Sequence, residues 1–213
     1  MKIKSYKPNE INDCREASQI SATILDELVS YISEGITTGE VDNYCLERIK
    51  KLGGIPAPLF YRGFPKPTCT SLNRVICHGI PSNDRKLLEG DILNVDITTI
   101  INGWHGDSSR MYKIGKVSVK ANNLCEVTHQ CLIESIKEIK VGDYISRIGK
   151  KIDEIANKNH FSVVRDFCGH GVGKNFHESP SILHYYDPEY DNIKFIDGMI
   201  FTVEPMINSG KYH

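Results

Sequence analysis

Long apolar runs are missing: nowhere in the 213 residues do apolar side chains approach 18 in succession, so no segment has the length and character of a membrane-crossing helix. The start, Met1 to Lys7, holds no apolar stretch of the kind a secretory signal needs. An excess of one charge is also missing. With 26 basic and 27 acidic residues the formal net charge is -1, and no Lys/Arg stripe supplies the cationic footprint that nucleic acid demands. The seven cysteines are an odd number and form no C-x-x-C pair, which argues against a disulfide framework and a zinc ribbon and suits a reducing cytosol. Cys14, Cys45, Cys125, Cys131 and Cys168 read as small buried hydrophobes. Low-complexity tracts are absent, and 17 Gly and 9 Pro are ordinary levels, so neither a disordered nor a fibrous class fits. What remains is a globular chain, 40% hydrophobic and 25% charged, of one domain or two fused halves. A chain of this length buries roughly 70% of its unfolded surface and needs no covalent staples.

Four segments carry helical periodicity. Apolar residues fall at Ala17, Ile20, Ile24, Leu28 and Ile32 within 11–32. Thr37-x-x-Glu40 is a capping box opening a second helix, with Val41, Tyr44, Cys45, the Arg48 stem, Ile49 and Leu52 on one side and Gly53-Gly54 at its end. A third is predicted over about 121–139, with Leu124, Val127, Cys131, Leu132, Ser135, Ile136 and Ile139, and a fourth over about 144–157. Between them, 91–99 alternates with period two, Asn102-Gly103 is a two-residue hairpin signal, and 104–114 is the return strand. A further β-rich run spans 198–203 and stops at Pro205. Helix pairs alternating with antiparallel hairpins predict an α+β domain with helices over one face of a sheet.

One pattern occurs twice. Gly90-Asp-Ile-Leu-Asn-Val-Asp96 and Gly198-Met-Ile-Phe-Thr-Val-Glu204 each run Gly, Ile, Val, then a carboxylate six residues after the glycine. Upstream of each stands His-x-x-Pro, at His78–Pro81 and His177–Pro180. Each half of the chain can thus contribute one His and one strand-borne carboxylate.

Hairpin geometry sharpens the first carboxylate. With the turn at Asn102-Gly103, Ile101 pairs with Trp104, Thr98 with Asp107 and Asp96 with Ser109. Asp96 and Asp107 are then diagonal neighbours on one sheet face, with backbones roughly 7–8 Å apart. Asn94, Thr98 and His105 share that face; Leu93, Val95, Ile97 and Ile101 take the other. Two carboxylates converging beside a core raise each other's pKa unless a cation neutralises them, so the pair is either a divalent-metal site or a solvated sheet face. Glu204 lies in an almost wholly apolar run, where a carboxylate must be paired, protonated or ligating. His170 is framed by Gly169, Gly171 and Gly173, which let backbone approach closely and leave the imidazole unhindered, and His177 follows seven residues later. His105, His129, His160 and His184 carry no such frame and read as ordinary surface or core residues. Carboxylates with a single His and no Cys cluster suit Mn, Fe, Co or Zn, and a pair of such ions suits amide hydrolysis.

Together, 169–180 (GHGVGKNFHESP), Asn94-Val-Asp96, Gly106-Asp107, Phe201-Thr-Val-Glu-Pro205 and Val75-Ile-Cys-His-Gly-Ile-Pro81 resemble the type I methionine aminopeptidases of peptidase family M24, over nearly the whole chain and in the family's order. The resemblance implies the α+β pita-bread fold, two pseudo-symmetric halves around a central sheet, with residues 1–213 one catalytic domain. It implies metal-dependent release of the first Met from nascent proteins and peptides by a cytoplasmic monomer, open to ribosome association, with neither nucleic-acid specificity nor membrane attachment. It makes Asp96, Asp107, His170 and Glu204 ligands of two divalent ions (Co, Mn, Fe or Zn), Asp107 bridging both, and Glu204 also the general acid/base. His78 and His177 contact substrate and stabilise the tetrahedral intermediate. Tyr61, Phe64, Cys69 and Phe176 line the Met side-chain pocket, with Cys77 in the same cleft.

The chain departs from the family in places. The family often has Tyr where Phe64 stands and Cys where Pro58 stands, both small changes for an apolar pocket. Family members also continue past His213 with further strands, a pocket Trp and a second bridging Glu, whose loss would weaken the second metal site. Asn208-Ser-Gly210 is a turn signal that anticipates a returning strand. Two other readings stand beside the first. One is a catalytically impaired, peptide-binding homologue, disfavoured by the intact ligand positions. The other is a proline-specific aminopeptidase, which would carry a long N-terminal domain.

Overall fold

In a computed structural model, residues 3–213 are described; Met1 and Lys2, at the head of the stretch read as lacking a signal, lie outside the described residues. No described helix is long and apolar enough to cross a membrane. The chain forms two compact units, one of residues 9–118 with 173–176, the other of residues 3–8, Val119–Val172 and His177–His213.

The first unit is two helices on a four-stranded sheet. Helix α1 (Pro8–Tyr31) buries Cys14, Ala17, Ser21, Ile24, Leu25 and Leu28, a stripe at helical spacing. Helix α2 (Thr38–Lys51) opens on the expected capping box: the Glu40 N–H donates to Thr37 Oγ1 (3.1 Å) and the Thr37 N–H to Glu40 Oε2 (2.7 Å). Val41, Cys45 and Ile49 face inward, whereas Leu52, expected with them, is exposed because it is already the C-cap. Strands β1 (Ile55–Pro56) and β2 (Cys69–Leu72) share one edge of β3 (Ile92–Ile101), and β4 (Trp104–Lys113) runs along the other, all antiparallel to β3. At the tip of β3–β4, Asn102 (φ 50°) and Gly103 (φ 80°) take the left-handed conformations a type I′ turn requires, and this turn sets the register. Ile101↔Trp104, Thr98↔Asp107 and Asp96↔Ser109 are paired as expected. Leu93, Val95 and Ile97 then pack with Leu72 and Tyr112 on α1 and α2, leaving Asp96 and Asp107 on the opposite face.

Glu27 on α1 joins Arg48 on α2 through Nε (2.6 Å) and Nη2 (2.5 Å), a forked pair less than one-third exposed. The Arg48 hydrogen bond holds the Glu27 carboxyl below its ordinary pKa. A depressed acid stabilises the fold above its unfolded pKa, and that contribution is lost as pH falls through the folded value. Denaturant titrations should therefore find Glu27→Gln about 1 kcal/mol less stable than wild type at neutral pH and equal to it in strong acid. A constant difference across that range would exclude the pair as its source.

The second unit has its own core, built from α3 (Val119–Ile136) and α4 (Ser146–Lys158) against short strand pairs. Val127 and Cys131 of α3 meet Ile148, Ile152 and Ile155 of α4, and Phe161, Ile182, Phe195 and Ile207 complete the cluster. Ile136, expected inward, is exposed where α3 ends. Strands β5 (Ser162–Val163) and β8 (Ile207–Asn208) pair, as do β6 (Gly169–Gly171) and β7 (Glu178–Ile182), the latter with an irregularity at His170/Gly171. The run 198–203, expected as a strand, is not one. It makes a single bridge, Phe201 with Gly171, because the Thr202 hydroxyl takes the His170 N–H that a ladder carbonyl would otherwise accept.

The sequence repeat has a structural counterpart within each unit. Lys86 bridges Thr37, and four residues on Gly90 turns at φ 92°; Lys194 bridges Tyr144, and four residues on Gly198 turns at φ 75°. Each turn leads into the segment ending in a carboxylate, Asp96 in one unit and Glu204 in the other.

Candidate functional site

In the first unit the acidic face of the sheet is one row deep on each side of β3. Cys69 on β2, Asp96 on β3 and Ser109 on β4 stand directly opposite one another, and Asp107 lies diagonally from Asp96 across the Thr98 pair. Both aspartates are partly buried. Cys69 is buried, and burial first, then the charges of Asp96 and Asp107, push its thiol pKa up, so it stands beside the carboxylates as a neutral, polarizable wall. Its position is set from behind by Asp42 of α2, itself buried, whose Oδ1 accepts the Thr68 N–H (3.1 Å) and hydroxyl (2.8 Å).

Aromatic groups gather in the same unit. The Tyr61 and Phe176 rings are 4.9 Å apart, and His105 stacks on Phe176 at 5.8 Å. The His105 N–H donates to the Gly173 carbonyl (2.8 Å), and its Nδ1 meets the same oxygen at 3.0 Å, so the 173–176 segment is pinned to β4. His105, read from sequence as ordinary, therefore anchors the segment that carries Phe176. Phe64 donates its N–H to the Tyr61 carbonyl (3.0 Å) and is half-buried. His78 is exposed and holds φ 53°, a left-handed conformation uncommon outside glycine. The next residue fixes it there: the Gly79 N–H donates to Ser71 Oγ (3.1 Å), and the Gly79 carbonyl accepts the Thr70 N–H (2.8 Å).

In the second unit His170 and Glu204 come together. The His170 Nδ1 lies 2.9 Å from the Gly171 carbonyl, which can only accept; the ring proton is therefore on Nδ1 and the Nε2 lone pair points outward. That Nε2 sits 3.7 Å from Glu204 Oε1. A lone pair facing a carboxylate oxygen is reconciled by a cation between them, and an imidazole whose other nitrogen donates to a backbone carbonyl is the usual form of a metal-binding His. Thr202 ties the two together, accepting the His170 N–H (2.9 Å) and donating to Glu204 Oε1 (2.6 Å). The expectation that glycine lets backbone approach His170 holds: a Cβ on Gly169 would lie 2.5 Å from the Thr202 carbonyl oxygen, and one on Gly171 would lie 2.7 Å from that of Ser179. His177, exposed, lies with its ring 4.2 Å from that of His170.

Glu204 is less enclosed than its apolar neighbours suggested, its side chain being 37% exposed, since Met199, Phe201 and Val203 turn toward the core while the carboxylate turns away. The residue that sequence reading missed is His184. It is fully buried, and its Nε2 accepts the Glu204 N–H at 3.1 Å. Burial, with the nearby His170 imidazole, pushes its pKa down to about 3, so the ring is neutral at any working pH. The signal available was spacing: His170, His177 and His184 recur every seven residues.

Among the described residues no group of three or more His, Cys, Asp or Glu side chains forms a ready cation cage. Each unit by itself supplies a pair: Asp96 with Asp107, and His170 with Glu204. A pair of carboxylates and a carboxylate with an imidazole each suit a divalent cation.

Comparison with known proteins places the chain in a metallopeptidase family. The model of metallopeptidase family M24 matches residues 12–212. Methionine aminopeptidase of Rickettsia prowazekii (strain Madrid E) is 43% identical over 212 residues, covering 100% of this chain and 81% of that protein. The Escherichia coli (strain K12) methionine aminopeptidase is 40% identical over 212 residues, covering 99% of this chain and 80% of its own. The crystal structure of methionine aminopeptidase from Thermotoga maritima superposes with a TM-score of 0.96 at 33% identity, covering 100% of this chain and 85% of that one.

Proposed function

The chain belongs to metallopeptidase family M24 and has its pita-bread fold, and on that premise we propose that it hydrolyses the first peptide bond of peptides and nascent proteins that begin with Met. The observation that carries this reading is the pairing of His170 Nε2 with Glu204 Oε1 at 3.7 Å, with the imidazole proton held on the far side by Gly171. Relatives at 40–43% identity are methionine aminopeptidases, which favours this reading over a proline-specific one.

In this proposal Asp96, Asp107, His170 and Glu204 would hold two divalent cations, Co, Mn, Fe or Zn, with Asp107 serving both. Such ions supply Lewis acidity and a nucleophile at neutral pH. Glu204 takes the proton of the attacking water and returns it to the departing amine, as a carboxylate oriented by the Thr202 hydroxyl can do. His78 and His177 donate hydrogen bonds to the oxygen that gains charge as the carbonyl carbon becomes tetrahedral. Tyr61, Phe64, Cys69 and Phe176 receive the Met side chain; aromatic faces and a neutral thiol suit a thioether. Seven cysteines free of disulfides favour a reducing cytoplasm, where an enzyme acting on emerging chains as a monomer would work beside the ribosome.

The test is release of free Met from a Met-Ala-Ser peptide with Mn or Co added to the metal-stripped chain. Release that requires the metal and fails with Leu-Ala-Ser is expected. Binding of the peptide without release would make the chain a peptide-binding homologue, and release regardless of the first residue would remove the Met specificity.

A further inference from the structure

We infer that His184 is a positioning residue for the carboxylate of Glu204, an inference that rests on the reading of Glu204 as a metal ligand. The segment around Glu204 is short of backbone partners. Thr202 gives its N–H to the His170 carbonyl (2.8 Å), and Pro205 has no N–H at all. Between them the Glu204 N–H finds no strand carbonyl; the His184 imidazole nitrogen accepts it instead, at 3.1 Å.

The ring is locked in place. His184 is fully buried two residues beyond the end of β7, and its Nε2 would lie 3.2 Å from a Cβ on Gly169, so the imidazole sits behind both the His170 and the Glu204 segments. Because Nε2 accepts, the ring proton must be on Nδ1, and Nδ1 is buried with no hydrogen-bond partner. A buried donor without an acceptor is a standing cost. An apolar ring of similar shape would fill the same space without that cost. What it would lack is the acceptor for Glu204. The imidazole therefore does something at this position that packing alone does not ask for. It fixes the peptide plane of a residue already restricted by the following proline, and so fixes the direction in which the carboxylate leaves the backbone.

The test compares His184→Phe, which keeps the ring and removes the acceptor, with His184→Gln, whose side-chain oxygen can reach the same N–H, and with Glu204→Gln as reference. Calorimetric titration of Mn into the metal-stripped full chain should show His184→Phe binding on the order of 10–100-fold more weakly than wild type. His184→Gln, which retains the acceptor, should recover most of that roughly 10–100-fold loss. Nitrogen-15 spectra of the wild-type imidazole should show Nδ1 protonated and Nε2 bare. Unchanged affinity in His184→Phe, failure of His184→Gln to restore it, or a proton on Nε2 would overturn the inference. Should His184→Phe not fold, judged by thermal unfolding without metal, His184→Gln and the spectrum decide. Wild-type affinity in Glu204→Gln would instead remove Glu204 as a ligand, a separate failure that the His184 variants do not produce.

Discussion

Replacing Asp107 with Ala is expected to abolish metal-dependent Met release, with kcat/KM falling on the order of 10³-fold or more, equivalent to about 4 kcal/mol of transition-state stabilisation. The size follows from the proposed sharing of one carboxylate between two cations: its loss weakens both sites at once, whereas a residue serving one ion weakens one. The position argues that the fold survives. Asp107 is half-exposed on β4, opposite Thr98, and the apolar contacts of this hairpin are made on the other face by Leu93, Val95 and Ile97. The thermal midpoint of the metal-free variant should therefore stay near that of wild type, while Mn affinity by calorimetry collapses. Asp96→Asn, its diagonal neighbour, should show a smaller loss, and the double variant should lose little more than Asp107→Ala alone, because groups acting on one centre are not additive. Unchanged Mn affinity in Asp107→Ala would refute the assignment of this face as a metal site.

How much of this could be read from the chain depends on how local each cause is. The β3–β4 register was legible because it is set by two adjacent residues, Asn102 and Gly103, and propagated by a period of two, so counting outward from the turn puts Asp96 and Asp107 on one face. The α2 start was legible because its capping box is four residues long. The β5–β8 and β6–β7 pairs were not: they are two to five residues each, and Ser162 meets Asn208 from 46 positions away, with no turn between to announce the pairing. The run 198–203 had the composition of a strand, yet its pairing stops at the one bridge made by Thr202 N–H to the His170 carbonyl and Val172 N–H to the Ile200 carbonyl, because the His170 N–H goes to the Thr202 hydroxyl, a choice that β propensity does not encode. Glu204 illustrates the same limit. Its apolar neighbours implied burial, but alternation turned the carboxylate out while the core took Phe201 and Val203. His184 was missed for a related reason: a single His in an unremarkable context acquires its role only from a backbone N–H twenty residues further on.

Replacing His78 with Ala should separate the chemical step from metal binding, lowering kcat about 10²–10³-fold while Mn affinity stays near wild type. A donor aimed at charge that develops only in the transition state leaves KM largely unchanged when removed. The backbone supports a fixed aim. His78 is held at φ 53° by the two hydrogen bonds of Gly79 to β2, the strand that also carries Cys69 opposite Asp96, so its backbone is anchored to the same sheet as the aspartates. Strained backbone of this kind persists where surrounding contacts over-determine it and is concentrated at functional sites. Ala at a left-handed position adds its own strain, so His78→Asn is the sharper variant: Asn tolerates that conformation and keeps a donor, though a shorter one. His78→Asn should match wild type in thermal stability and recover part of the kcat lost in His78→Ala. A fall in bound Mn to half the wild-type content in either variant would instead make His78 a ligand, and the division of labour between the histidines and the carboxylates would have to be redrawn.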